Sequence, residues 1–309
     1  MLDPRELYEL TADAASVPEG LHLVAGITGF ADAGSAVSQF TSHLDEILDA
    51  VPVAVFDADI LLDYRARRPI ITFDEDHISD YEPARLTLSL AHDELARPFL
   101  LLTGFEPDFQ WERFASAVEQ LIERFAVASA TWVHAIPMPV PHTRPISVTV
   151  SGTRTDLAES MSVWRPRTQA PSTALHLVEY RLQQREFPVV GFVLLVPHYL
   201  ADTEYPAAAI TALESVSAAT GLIFPTDALR EANREFLGRI DEQVAENGEL
   251  TKLVDSLEQR HDSYMEGTTL RSPLTDVDGE LPSADEIAAE LEKFLALRRG
   301  RDDETPFSR

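Results

Sequence analysis

The chain has 309 residues, 45% of them apolar and 25% charged, which is enough to bury a large core and to build more than one domain. Its 25 basic against 52 acidic residues give a formal charge of −27, which argues against phosphate backbones and anionic membranes as partners unless the arginines cluster on one face. Cysteine is absent, so disulfides, thiolate nucleophiles and cysteine zinc sites are excluded.

No apolar run approaches the ~18 residues that span a membrane. The start, Met1-Leu2-Asp3-Pro4-Arg5-Glu6, lacks the basic, then apolar pattern of a secretory leader. A cytoplasmic protein is expected, with neither nucleic acid nor membrane as partner. Both lysines, Lys252 and Lys293, fall late in the chain, so the α/β part has no lysine for a Schiff base or a phosphate loop.

An apolar run from Leu21 to Ile27 ends in Gly26-Ile27-Thr28-Gly29 and reads as a buried strand. Asp32 to Leu48 follows at helical spacing (Val37, Phe40, Leu44, Ile47, Leu48), with Asp32 placed to cap its free amides. Strand-like runs follow at Val53–Phe56 and Pro69–Phe73; Arg85–Ala91 alternates in part, and Pro98–Thr103 is continuous and apolar. Asp108 to Ala128 reads as a helix with a broad apolar face, and Thr131–Ile136 as another buried strand.

Pro137, Pro139, Pro141 and Pro145 then crowd into nine residues, which neither a helix interior nor a central strand accepts. A stiff extended loop is expected, followed by a short strand at Ile146–Val150, a helix over Ser172–Arg185, a buried strand at Val189–Val196 and a helix over Ala207–Thr220 stopped by Gly221. This alternation predicts an α/β fold, a three-layer α/β/α sandwich with a mainly parallel sheet. From Thr226 the character changes to helices at Thr226–Asn247, Leu250–Tyr264 and Ser283–Arg299, with a polar linker from Glu266 to Pro282 and a charged end at Gly300–Arg309. Two domains are expected: residues 1–225, the sandwich, and 226–309, a C-terminal helical extension whose apolar stripes pack on the parent domain or dock on a neighbouring subunit.

The tripeptide Val-Pro-His occurs twice, at Val140–His142 and Val196–His198, each time after a buried strand. Ligands of open α/β sheets collect past the carboxyl ends of the strands, so these histidines mark the candidate surface. Between its two prolines, Pro141-His142-Thr143-Arg144-Pro145 would hold a proton-exchanging ring and a planar guanidinium rigidly. Glu106, after the strand ending at Thr103, is expected on the same edge, as are Asp32, His198 and Tyr199. Together Asp32, Glu106, His142, Arg144, His198 and Tyr199 form the candidate ligand or partner site. The structural alternative has Arg144 tying its loop to an internal acid such as Glu106, and the His198-Tyr199 pair donating to backbone carbonyls. Gly26, Gly29 and Gly34 are not spaced as a dinucleotide fingerprint, and close packing of helix on strand is the preferred reading. No G-x-S-x-G elbow and no H-E-x-x-H occurs. Neither a cofactor nor a metal is assigned; a site made of His134, His142, His198 and an acid is the weaker alternative.

These segments also carry a resemblance. Gly29-Phe30-Ala31-Asp32-Ala33-Gly34, Phe56-Asp57, Asp63-Tyr64, Arg68-Pro69, Gly104-Phe105-Glu106-Pro107-Asp108 with Trp111, Pro141–Pro145 and Val196-Pro197-His198-Tyr199 are similar in order and spacing to the proteasome assembly chaperone 2 (PAC2) family, actinobacterial type. The resemblance covers about residues 20 to 260, with Gly-Phe-Ala-Asp standing where the family more usually has Gly-Trp-Asn-Asp. It implies a sandwich like that of purine nucleoside phosphorylases plus helices, and, from eukaryotic relatives, help in assembling the proteasome core particle. The expected function is therefore a non-enzymatic, assembly-chaperone-like protein, a homo-oligomer taken as a trimer, with a protein partner of unknown identity. The alternative is a small-molecule-binding or phosphorylase/hydrolase-like protein with its site at the strand ends.

Overall fold

The computed structural model describes residues 3–29, 31–163 and 167–267. The helix expected over Ser283–Arg299, nearly all of the linker before it and the charged end lie outside them.

In chain order the elements are β1 (Tyr8–Leu10), β2 (His22–Thr28), α1 (Ala36–Ile47), β3 (Val51–Phe56), α2 (Ala58–Leu61), β4 (Ile70–Asp74), β5 (His77–Glu82), β6 (Leu86–His92), β7 (Pro98–Phe105) and α3 (Trp111–Arg124). Then come β8 (Ser129–Met138), β9 (Ser147–Gly152), α4 (Thr155–Met161), α5 (Ala174–Gln184), β10 (Val189–Pro197), α6 (Pro206–Thr220), α7 (Asp227–Glu246) and α8 (Gly248–Gly267). Eight strands join in one sheet in the order β1-β3-β6-β7-β2-β8-β10-β9. The sheet is mainly parallel: β7, β2, β8 and β10 are successive parallel neighbours and β3 shares their direction, while β1, β6 and β9 run the other way.

The four contiguous parallel strands are the ones with unbroken apolar runs, because each is covered on both faces. On one face α3 and α5 bury Phe114, Leu121 and Val178 against Leu102 and Trp132. On the other, α1 and α6 bury Phe40, Leu44 and Leu213 against Val133 and Phe192. The expected three-layer sandwich is present.

Several elements depart from expectation for identifiable reasons. β8 extends past Ile136 to include Pro137, which pairs with Val196. Strand β2 is hydrogen-bonded to β8 only as far as Ala25 and Trp132, so at Pro137 the strand has an open side, and no ladder bond is lost for want of an N–H. Strand β1 is three residues long, too short to give a periodic signal. The run at Pro69–Phe73 does form a strand, β4, but it pairs only with β5 and stays outside the main sheet.

The C-terminal helices pack onto the sandwich. Phe236 of α7 is buried in the α1/α6 core with its ring 5.3 Å from that of Tyr205, and Val254 and Leu257 of α8 are buried too. The His43 imidazole also bonds the Pro225 carbonyl oxygen at 2.7 Å, fixing the connection that leads into α7. Removing a buried aromatic ring costs both transfer energy and a cavity. Phe236→Ala should therefore lower unfolding free energy by about 3 kcal/mol, as read from urea denaturation.

Candidate functional site

The carboxyl ends of β2, β7, β8 and β10 carry the residues singled out in the sequence, but in separate groups. The first surrounds Glu106. This side chain turns inward and is buried, and its Oε1 accepts the Ala174 amide at the start of α5 at 2.6 Å. A carboxylate at a helix start satisfies a free donor and opposes the positive end of the helix dipole. It lies so close to Gly29 that a Cβ there would sit 2.2 Å from Glu106 Oε2. The glycine of the motif thus makes room for the glutamate of another motif. The next residue of that motif, Phe30, lies outside the described residues.

Beside Glu106 stand His134, Thr173 and Trp132, around a space that holds about one water molecule. Thr173 and His176 form a reciprocal cap on α5, the Thr173 amide donating to His176 Nδ1 at 3.0 Å. The His134 and His176 rings meet edge-to-face at 6.1 Å. Burial, reinforced by His176 and opposed by Asp32, lowers the pKa of His134 to about 4. Sequence reading passed over His176, whose only signal is its place three residues after Thr173 at a helix start.

Asp32 caps α1, as expected, across an intervening turn. Its carboxylate accepts the Val37 amide at 2.7 Å and the Ser38 amide at 2.9 Å. The turn needs Gly34, whose φ is +69° and whose carbonyl accepts the Tyr205 amide.

A second group explains the acidic motifs on the β3 side. Asp57 caps α2, and Asp108 accepts the Asp63 amide at 2.7 Å and an Arg67 guanidinium N–H. Arg67 in turn lies over the Phe105 ring at 5.7 Å. The segment after β7 is thereby bound to the segment after α2.

The third group joins the proline-rich loop to α7 and α8. His142 is buried; its amide donates to Tyr199 Oη at 2.7 Å, and its Nδ1 lies 2.7 Å from the same oxygen. The Asp241 carboxylate of α7 can only accept, so Nε2–H donates to its Oδ1 at 3.2 Å, and in the neutral ring Nδ1 then accepts the Tyr199 hydroxyl. Arg144 grips Asp262 of α8 by two N–H groups at 2.9 and 2.6 Å and reaches Glu258 at 3.2 Å, while Thr143 also donates to Glu258. This fork-on-carboxylate geometry is the directional form of an ion pair. The acids held by Arg144 are therefore on α8, and Glu106, the acid suggested by sequence, is engaged elsewhere. His198 stacks edge-to-face on Tyr199 at 5.5 Å, joining this group. Tyr264 of α8 closes it by donating to the Val163 carbonyl.

The expected six residues thus divide. His142, Arg144, His198 and Tyr199 come together, whereas Asp32 and Glu106 serve two helix starts. Of the weaker metal alternative, His142 and His198 share the group around Tyr199, whereas His134 stands in the group around Glu106. Among the described residues, no cluster of three or more His, Asp or Glu side chains is placed to hold a metal ion.

Comparison with known proteins agrees with the fold. The PAC2 family model matches residues 26–244. A Mycobacterium tuberculosis protein of unknown function is 41% identical, with 84% of this chain and 92% of that chain covered and a TM-score of 0.78. A Corynebacterium glutamicum protein of unknown function is 35% identical, with 84% and 98% covered and a TM-score of 0.80. A second M. tuberculosis structure, described as a proteasome-assembly chaperone homologue, is 25% identical over 76% of this chain and 100% of that one, with a TM-score of 0.69. No functionally curated protein matches.

The lowered pKa of His134 has a defined consequence for stability. Above its ordinary value of 6.5 the ring is neutral whether folded or unfolded. As pH falls through 6.5 the unfolded chain takes up a proton that the folded chain refuses until about 4, so stability declines across that window. His134→Gln should remove about 2 kcal/mol of the decline between about pH 6.5 and 5, measured by urea unfolding at each pH. His176, also lowered by burial, keeps its own share of the slope. Separately, Arg144→Ala should raise amide hydrogen exchange throughout α8 while leaving exchange in β2, β7 and β8 unchanged, as read by mass spectrometry.

Proposed function

The chain belongs to the PAC2 family, and on that premise we propose that it is an assembly-chaperone-like interaction protein that acts by surface complementarity without catalysis. In this reading it works in the cytoplasm as a homo-oligomer, with three copies as the working number, and engages a further protein partner. The candidate residues serve as the partner-facing framework: His142, Arg144, His198 and Tyr199 hold α7 and α8 in place, and Asp32 and Glu106 hold the loop behind them.

The observation that carries this reading is the engagement of the candidate side chains inside the fold. Arg144 is closed by Asp262 and Glu258, His142 by Tyr199 and Asp241, and Glu106 by the start of α5. Groups already committed to internal partners rigidify a surface more readily than they turn over a substrate. The related M. tuberculosis structure described as a proteasome-assembly chaperone homologue, 25% identical, supports the same direction. The buried His134 beside Glu106 is the one feature that favours the alternative of a small-molecule site, and the space there is about one water in size.

Native mass spectrometry of the gently purified protein separates the readings. A homo-oligomer free of bound small molecules, alone or with a second protein, is expected. A stoichiometric small-molecule adduct, lost in His142→Ala or His134→Gln, would overturn the proposal in favour of a ligand-binding or enzymatic role.

A further inference from the structure

Helix α8 is attached to the sandwich mostly through charge. Among its described side chains Val254 and Leu257 alone are buried, and neither belongs to the two main cores, whereas α7 anchors itself with Phe236 inside one of them. The bonds that reach α8 from the proline-rich loop are open to water: the paired side chains of Arg144, Glu258 and Asp262 are 31, 29 and 46% exposed. Ion pairs open to water contribute little, because they are screened and must order two long side chains. A lone helix of 20 residues is itself marginal. Detaching α8 thus disturbs little of the core.

What it would leave behind is a built receptor. Pro141 and Pro145 restrict the loop, and Tyr199 and Asp241 of α7 fix His142 between them, one residue from Thr143 and two from Arg144. Val140, at the head of the loop, is buried with Met138 and Leu195 in an apolar cluster of its own. The chemistry of an occupant is written on α8. Val254, Leu257, Glu258 and Asp262 fall at i, i+3, i+4 and i+8, and so share one helix face. Hydrogen bonding from Arg144 holds the Asp262 carboxyl down at about 2, so this acid meets the loop as a charge at neutral pH.

We infer that the seat formed by the proline-rich loop and α7 is a helix-binding site, which α8 occupies in the isolated chain and an acidic amphipathic helix of a partner protein takes over. The helix that fits carries two apolar side chains three residues apart, an acid next to the second and another acid one turn later. This deepens the interaction role proposed above and rests on it for the existence of a partner. Being tethered, α8 competes at an effective concentration on the order of millimolar. A partner therefore displaces it by adding contacts elsewhere on the surface.

The probe is a fluorescein-labelled peptide of the α8 sequence, Gly248–Gly267, titrated into the full chain and followed by fluorescence anisotropy. Wild type should bind it weakly, because its own α8 fills the seat. Glu258→Lys combined with Asp262→Lys repels that helix from Arg144, and the Kd for the peptide should fall by at least about tenfold. Arg144→Glu should release α8 as well, but accept only a peptide bearing Glu258→Lys and Asp262→Lys. Hydrogen exchange should rise in α8 of both variants and stay unchanged in β2, β7 and β8, which verifies that both are folded. The triple variant should close again and bind neither peptide better than wild type does. Binding that ignores the charge at residue 144, or no binding to chains whose α8 is released, overturns the inference, as does unchanged exchange in α8 of both variants. A wild-type dimer lost in Arg144→Glu would put a second copy's α8 in the seat and overturn a separate protein as its occupant. The interaction role itself is overturned by a different result, the bound small molecule seen in native mass spectrometry.

Discussion

A carboxylate placed inside a protein must find donors or lose its charge, and Glu106 meets that requirement where three parts of the fold converge. Its oxygens lie against the end of β2 at Gly29 and against the first amide of α5, and its backbone amide donates to Thr28. Beyond that end of β2 stand the Asp32 cap and the left-handed Gly34. The start of α5 is fixed relative to β7, and the His134–His176 pair sits on the wall so formed. Any side chain larger than hydrogen at residue 29 has to displace this carboxylate.

The parallel sheet was legible because its central strands are buried on both faces and read as unbroken apolar runs. The helices were legible from period and caps: Gly221 ends α6 in a left-handed conformation, as its position suggested. The hairpin strand β5 was not, since His77-Ile78-Ser79-Asp80-Tyr81-Glu82 is mostly polar and owes its pairing to β4 alone. The antiparallel direction of β6 was equally hidden, because direction lies in the length of a connection and not in the composition of the strand.

The candidate site was legible only as a set of residues. Their division into groups depends on which face of a strand each following residue turns toward, a fact of register that a one-residue shift would invert. Glu106 goes under α5, while His142 reaches Tyr199 over the opposite layer. Arg144 sought an acid, as its rigid loop implied, but that acid lies 118 residues away on a helix whose docking no local pattern encodes. The PAC2 motifs are separated in sequence yet support one another in space, Gly29 with Glu106 and Asp63 with Asp108. That mutual support is what a family resemblance spread over short segments records.

The bond from Arg144 to Asp262 also orders events in time. A chain made from its amino end presents strand β8 and the proline-rich loop long before residue 262 exists. Through that interval His142 has Tyr199 to meet only after β10 has formed, and Arg144 has no carboxylate from α8 at all. The sandwich must therefore hold its own shape while the loop waits in solvent, and the prolines, by restricting the loop beforehand, lessen the entropy lost when the last helix arrives. The late helix closes a structure already made, so its release would reopen the loop and leave the sheet intact.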